Sequence, residues 1–410
     1  MKSDSATCRI CTGRVDPWCD FGRQPVSQAF RSPDQTDDEY FYRLTIGVCA
    51  DCTMVQHVEQ VPPAMMFHAD YPFRSGTSAA MARHFEQTAE QLIADERLAR
   101  QGALAVEIGC NDGTMLAAFR RAGVRHLGID PSRAATDIAC DAGSPVRVEF
   151  FSETTASAIR AAEGPADVVF SANTISHIAD VCDVFRGVAV LLAPDGVFVF
   201  EDRYIGDIVR QTSFDQIYDE HCFLFGVRSV AELAARCGLE LVDAVRIPVH
   251  GGSIRYTVAR PGARTVSPQV TRLAEDEREQ RLHDPERLRE FERRVTATRD
   301  ELVGLLTELR AQGARVVGYG ATAKSATVTN FCGIGPDLVE FVCDSTPEKQ
   351  GLLTPGRHLP VRPSAAFRDP YPDYALLFAW NHAEEILAKE RSFSEQGGRW
   401  ILYVPKVHIV

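Results

Sequence analysis

The chain contains no apolar run near the eighteen or so residues that a membrane-crossing helix requires, so no transmembrane helix is expected. No short repeat and no low-complexity segment appears in it. Its first residues, MKSDSATCRICTG, lack the apolar middle region of a signal peptide, and a cytoplasmic location of bacterial type is the default expectation. A surplus of positive charge is also missing. The 44 Lys and Arg are outnumbered by 56 Asp and Glu, leaving a formal charge of −12. That balance argues against nucleic acid as a general partner, and the missing apolar run argues against a membrane. A local basic pocket inside an acidic protein can still hold a phosphorylated small molecule. The oligomeric state is left open, a monomer included.

What is present is ordinary for a globular protein: 45% hydrophobic and 24% charged residues. At 410 residues the chain is too long for one core, so two or three domains are expected. Most of the twelve cysteines stand singly in apolar stretches (Cys140, Cys182, Cys237, Cys343) and read as reduced and buried. Four differ. Cys8-x2-Cys11 is followed, after a gap of 37 residues, by Cys49-x2-Cys52. Two such pairs, each on a tight turn, supply four thiolates for a tetrahedral zinc shell. Four Cys ligands leave no open position, so the zinc should be structural, and the long gap should form its own small sheet. Cys19 is left over with no clear role. This module is expected over residues 1–74.

The second segment is expected over 75–263. An amphipathic helix, SAAMARHFEQTAEQLIADE, precedes a strand at Leu104–Ile108, a turn at Gly109–Gly113, a helix at Thr114–Ala122 and a strand at His126–Ile129. ADVVFSANTISHI (166–178) reads as a buried fourth strand with polar residues at its carboxyl end. LLAPDGVFVFED (191–202) reads as a helix end, a turn and a fifth strand. Ligands of such sheets sit outside the carboxyl ends of the strands. The third segment, 264–410, opens with two helical stretches. In the second of these Asp284 is the expected N-cap, Pro285 the first helical residue and Gly313 the end. Leu288, Phe291, Val295, Leu302, Leu305 and Leu309 form its apolar stripe. ARVVGYGATAKSATVTNFCG then restarts strand, turn and helix, and VEFVCDS, DYALLFAWNHAEEI and RWILYV supply further strands, giving a second α/β unit.

Two Gly-containing turns invite a dinucleotide reading. The first is Glu107-x-Gly109-x3-Gly113, with Asn111 inside the turn and Asp130 after the next strand. An acid before the turn suits the ammonium of an amino-acid moiety, and Asp130 suits ribose hydroxyls, a pairing that looks like S-adenosylmethionine-dependent methyltransferases. Residues 149–153, with Phe151 and Ser152, would line the adenine, and Asn173 and Thr174 the methionine portion. A Rossmann sheet with NAD or with no cofactor is the competing reading. The second turn, Gly318-x-Gly320-x2-Ala323, is closer to the dinucleotide pattern on paper. Followed by Lys324 at a helix start, it is stronger evidence for a phosphate than for NAD, and a diphosphate-linked substrate serves equally well.

The three parts in this order resemble the dTDP-sugar C-3-methyltransferases of deoxysugar biosynthesis, a family that serves antibiotic production. The resemblance covers nearly the whole chain. It rests on the four-Cys module, VEIGCNDG, ANTISHI, FEDRYIGDIV, FDQIYDEHCFLF, VHGGSIRY, GYGATAKSATVTNF and LFAWNHAEEI. The family's fold is a small zinc module, a central Rossmann-like methyltransferase domain and a second Rossmann-like α/β domain. The implied reaction methylates the carbon beside the ketone of a dTDP-linked 4-keto-deoxyhexose, with S-adenosylmethionine as donor. The implied substrate is dTDP-3-amino-2,3,6-trideoxy-4-keto-D-glucose or a close relative, the substituents at C-2 and C-3 being open.

Matched motif by motif, the resemblance implies His221 as the base and Glu220 as its supporting carboxylate. Tyr218 and Tyr71 match phenols of the pocket, and His177 matches another active-site His, a candidate donor to the developing C-4 oxyanion, with a helix cap as its alternative. Asp219 is left as part of a solvated turn. His250 and Ser253 are candidates to face the sugar, although a plain turn between two strands explains the glycines of VHGGSIRY as well. Thr322 and Lys324 are candidates for the diphosphate. Asn381 and His382 are candidates for the thymine or the sugar, with a helix cap as the alternative for Asn381. Two other functions stay open: an NAD-dependent nucleotide-sugar oxidoreductase, and a nucleotide-sugar-binding scaffold without catalysis.

Overall fold

A computed structural model describes residues 6–66 and 75–410. The first sheet holds β1 (Ala6–Thr7), β2 (Arg14–Pro25), β3 (Phe41–Cys49) and β4 (Val55–His57), all antiparallel. The small sheet expected between the two Cys pairs is therefore there, as β2 and β3. Its fifth strand comes from far along the chain, where Phe223–Leu224 pairs antiparallel with β4. The peptide N–H of His57 continues the pairing by donating to the Cys222 carbonyl at 3.0 Å. An edge that would otherwise be open is thus closed by the residues that follow His221.

The second sheet contains β5 (Leu104–Ile108), β6 (Arg125–Ile129), β7 (Val146–Arg147), β8 (Ala166–Ala172) and β9 (Leu192–Arg203), all parallel. The strand that joins the first sheet is β10 (Phe223–Leu224). The hairpin of β11 (Glu240–Ile247) and β12 (Ser253–Ala259) then extends the second sheet antiparallel beside β9. The order is β11-β12-β9-β8-β5-β6-β7, so the winding order reverses between β5 and β8, the switch point at which ligands of such sheets bind. The helix Ala79–Asp95 begins at Ser78, whose hydroxyl accepts the Met81 N–H at 3.3 Å. Buried Glu201 ties that helix to the sheet, with His84 Nε2 at 2.6 Å and Arg255 Nε at 2.7 Å.

The third sheet contains β13 (Val316–Tyr319), β14 (Val342–Asp344), β15 (Val361–Pro363), β16 (Tyr374–Leu377), β17 (Arg399–Leu402) and β18 (His408–Ile409). It is parallel except for β18, in the order β15-β14-β13-β16-β17-β18. The helix Pro285–Ala311 starts as expected, with Asp284 accepting the Glu286 N–H at 2.9 Å. Its stripe differs at one place: Leu306, not Leu305, is buried. Leu302, Leu306 and Leu309 follow the four-then-three rhythm of one face, and Leu305 falls beside it. Helix Ala323–Cys332 is buried on nearly every side, from Ala323 to Thr329. It lies against the 214–225 segment, where Thr327 Oγ1 donates to the Ile217 carbonyl at 2.9 Å.

The zinc module also grips the third unit directly. Trp18 Nε1 donates to the Leu288 carbonyl at 2.8 Å, and Glu39 takes the Gly356 N–H at 2.7 Å and meets His358 Nε2 at 2.9 Å. Cys237 and Cys343 are buried as expected, but Cys140 is exposed on the helix Arg133–Asp141 and Cys182 is only half-buried. Among the described residues no helix is long and apolar enough to cross a membrane.

Candidate active site

At the end of β5, Gly109 adopts φ +75°, and a Cβ there would lie 2.2 Å from Thr174 Oγ1. Only glycine lets the loops after β5 and β8 meet this closely. Gly113, also at φ +75°, admits the helix Thr114–Arg121 against Ala139. Asn111 turns the loop at φ 49° and donates its N–H to Asp130 Oδ2 at 3.0 Å, while Ser132 N–H takes Oδ1 at 2.8 Å. Asp130 thereby fixes the turn itself.

Glu107 is buried and its Oε2 has no hydrogen-bond partner among the described residues. Burial first, then Asp112 and Asp130, push its carboxyl well above the usual range. Asn173, at φ 52°, likewise leaves a buried Oδ1 without a partner. Two orphaned acceptors at the carboxyl ends of β5 and β8 are what an ammonium-bearing ligand would satisfy. Phe151 is buried. The Ser152 hydroxyl caps the helix Glu153–Glu163 by accepting the Thr155 N–H at 3.1 Å. The neighbouring Phe150 is the open aromatic, 59% exposed.

The segment FDQIYDEHCFLF is buried from Phe214 to Phe225. His221 is fully buried, and its Nδ1 bonds the backbone carbonyl of Gln216. A carbonyl only accepts, so Nδ1 carries the hydrogen and Nε2 the lone pair. Nε2 has no partner among the described residues. Burial, then Arg203 and His177, hold this imidazole well below its ordinary pKa, so it is neutral. The rings of Tyr218 and His177 flank it at centroid distances of 3.9 and 5.3 Å. His177 lies in the short turn Ile175–His177 after β8, and burial and Arg203 hold it down to about 3. Glu220 is buried next to His221, close enough to Lys349 to favour its charge.

Asp219 corrects the expectation of a solvated turn: it is buried, and Oδ1 accepts the Ser27 N–H of the zinc module at 2.9 Å. Burial, opposed by that bond, raises its carboxyl to about 6. Tyr71 lies outside the described residues.

A second group of predicted residues gathers where the hairpin turn meets the third sheet. Buried Lys324 donates to Asn381 Oδ1 at 2.7 Å and sits 5.0 Å from the Trp380 ring. Burial lowers it to about 8, against the pull of Asp215. Asn381 lies inside the turn Trp380–His382, and His382 stands at the cap position of the helix that follows. His250 is half-buried at φ 54°, and burial, Arg203, Lys324 and His382 all depress its pKa. Thr322 caps its helix by accepting the Ser325 N–H at 3.3 Å, and Ser253 donates to the Val249 carbonyl at 3.1 Å. The glycine pair approaches protein: a Cβ on Gly251 would strike Trp380 at 2.3 Å, and one on Gly252 would strike Asp207 at 2.3 Å.

Arg203, Gln216 and Lys349 were not singled out in the sequence, although FEDRYIGDIV and FDQIYDEHCFLF contain the first two. Arg203 is buried at the end of β9 and depresses His177, His221, His250 and Lys324 together.

The second Gly-containing turn is closed by its own side chains. Asp344, where a dinucleotide's ribose would be held, accepts the Ala321 N–H at 2.7 Å and the Thr346 N–H at 2.8 Å. Lys349 Nζ takes the Ala321 carbonyl at 2.8 Å.

The sulfurs of Cys8, Cys11, Cys49 and Cys52 lie within 4.8 Å of one another, with Cys8–Cys52 at 3.5 Å and Cys11–Cys49 at 3.3 Å. Tetrahedral zinc–thiolate bonds place sulfurs about 3.8 Å apart, so the set fits the ion. No fifth donor joins them among the described residues, which makes the site structural.

Three family models match in series: a zinc binding domain over residues 8–67, a methyltransferase domain over 81–244 and a C-methyltransferase C-terminal domain over 248–405. The C-methyltransferase NovU of Streptomyces niveus is 32% identical over 98% of this chain and 96% of its own length. The chain belongs to this C-methyltransferase family. A shorter likeness, 32% identity over 24% of the chain, links this C-methyltransferase to the ubiquinone biosynthesis O-methyltransferase of Methylobacterium sp. (strain 4-46), covering 39% of that protein. Magnesium protoporphyrin IX methyltransferase of Synechocystis PCC 6803, solved with bound S-adenosylmethionine, overlaps 44% of the chain and 79% of its own at 12% identity, with a TM-score of 0.34 that adds no argument. The cofactor of this C-methyltransferase is S-adenosylmethionine, and its N-terminal unit is a zinc module.

Proposed function

We propose that the protein methylates C-3 of a dTDP-linked 4-keto-deoxyhexose, in the assembly of an antibiotic sugar. The observation that carries this reading is the buried, neutral His221, with its Nε2 lone pair unpartnered among the described residues and the Arg203 guanidinium close enough to depress it. A hydrogen on carbon beside a ketone is weakly acidic. His221 Nε2 takes the proton, and the C–H electron pair passes through the C-3–C-4 bond onto the ketone oxygen. His177 donates a hydrogen bond to that oxyanion, and Glu220 and Tyr218 hold the ring and the sugar. S-adenosylmethionine supplies a methyl group on a sulfonium, the electrophile that the enolate carbon requires.

In this reading Glu107 and Asn173 face the amino-acid end of the donor, with Gly109 and Gly113 shaping the turn and Thr174 packed on it. Asp130 and Asn111 lie at the ribose, and Phe151 and Ser152 behind the adenine. Lys324, with Arg203, neutralises the diphosphate, while Asn381, His382, His250, Thr322 and Ser253 border the sugar nucleotide. The units are assigned to residues 1–74, 75–263 and 264–410; β12 at the end of the second supports that assignment, although β10, also inside it, pairs with the first sheet. The closed second turn gives no support to NAD chemistry.

The test is incubation with isotope-labelled S-adenosylmethionine and a panel of dTDP-4-keto sugars, followed by mass. Label retained at the carbon beside the ketone is expected in the wild type and lost in His221→Asn, which should still bind both ligands. Undiminished turnover by His221→Asn removes His221 as base.

A further inference from the structure

We infer that Gln216 is a positioning residue for this chemistry: its peptide carbonyl selects the tautomer of His221, and its side chain holds that carbonyl in place. The inference rests on His221 being the base.

A neutral imidazole has one N–H, and either nitrogen can carry it. Only the form with the lone pair on Nε2 can use the unpartnered, buried edge of the His221 ring to take a proton. The Gln216 carbonyl, accepting at Nδ1, selects that form. What keeps the carbonyl there is a clamp on the same residue. Gln216 is 2% exposed. Its Oε1 accepts from Arg203 Nε at 3.2 Å, at the end of β9, and its Nε2 donates to the His250 carbonyl at 2.5 Å, in the β11–β12 turn. The preceding residue is pinned from the third sheet: Asp215 Oδ2 accepts from Trp380 Nε1 at 2.6 Å and from the Tyr403 hydroxyl at 2.8 Å. The turn Phe214–Gln216 is thus held from both α/β units, and His221 is held by the turn.

Among the described residues no group of the donor site bonds Gln216, so the two functions separate by experiment. In full-length, zinc-loaded protein with 15N-labelled histidine, the ring nitrogens of His221 are assigned by difference from His221→Asn. The wild type should show a protonated Nδ1 and an unprotonated Nε2. Gln216→Met, which keeps the volume and loses both polar contacts, should show a mixture of tautomers. Its kcat should fall about 10- to 100-fold, less than the roughly 10²–10⁴-fold that complete loss of a general base costs, with S-adenosylhomocysteine affinity unchanged. Gln216→Glu keeps the acceptor for Arg203 and should fall between the two.

An Nε2-protonated wild type overturns the inference, as does a Gln216→Met protein with wild-type kcat and an unmixed tautomer. If Gln216→Met fails to fold, the wild-type spectrum and Gln216→Glu decide. Turnover by His221→Asn would instead sink the base assignment, whatever the spectra show.

Discussion

The chain has two Gly-containing strand–turn–helix units, and they end differently. After β5, the acid before the turn is buried with an oxygen unpaired among the described residues, and a second orphaned acceptor lies after β8 at Asn173. The acid on the next strand holds its own turn in both, Asp130 by Asn111 and Ser132 and Asp344 by Ala321 and Thr346, but after β13 no acid precedes the turn and Lys349 also binds the Ala321 carbonyl. The helix behind this second turn is buried against the segment that carries His221. By pattern the second turn is nearer to a dinucleotide site; by the fate of its polar groups it is a structural joint with Lys324 at its rim. A Gly-rich turn binds a nucleotide only if its hydrogen-bonding groups are left for one.

Removing the zinc should have the largest effect, because it attacks the element both units lean on. The module supplies β4, which pairs with β10 one residue beyond Cys222, and it anchors Asp219 and the third unit through Ser27, Trp18 and Glu39. Chelation should unfold the module and abolish turnover, with loss of β signal in circular dichroism. A chelated protein that keeps its fold and loses only activity would contradict a structural ion.

Next in size is the contrast in ligands. S-adenosylhomocysteine should raise the melting temperature and NAD should not. Glu107→Leu should weaken S-adenosylhomocysteine about 10- to 100-fold in calorimetry, the cost of a lost charge-assisted hydrogen bond. Stabilisation by NAD would reopen the second turn as a site.

The smallest effect should come from Asp344→Ala. It leaves the Ala321 and Thr346 N–H groups without acceptors and should cost about 1–3 kcal/mol of stability in denaturant melts. Affinity for S-adenosylhomocysteine should not move.

A pH profile sharpens the comparison from the side of the base. His221 is held well below 6.5 in the free protein, and as the proposed base it must be neutral, so kcat/KM should stay level as pH falls through 6.5 and drop only at lower pH. An acid limb at or above 6.5 would mean that burial and Arg203 do not control this ring.

Much of this was legible along the chain. The strand limits Leu104–Ile108, the Asp284 cap and the four cysteines are local patterns, and each reappears in place. Asp219 was misread because its acceptor role depends on a peptide N–H 192 residues away. Leu305 was exchanged for Leu306 because positions three and four residues after Leu302 flank the same face from either side. Arg203 and Gln216 passed unmarked because neither is unusual where it stands.

By itself the sequence determined the zinc ligands, the two α/β units and the family, since these follow from spacing and residue type, which neighbours in the chain set. Only the tertiary structure decided which Gly-containing turn stays open, which nitrogen of His221 holds the lone pair, and that β10 belongs to the zinc module's sheet. Those outcomes turn on hydrogen bonds between groups that meet only after folding, and in a buried site every such group must find a partner or be kept for a ligand.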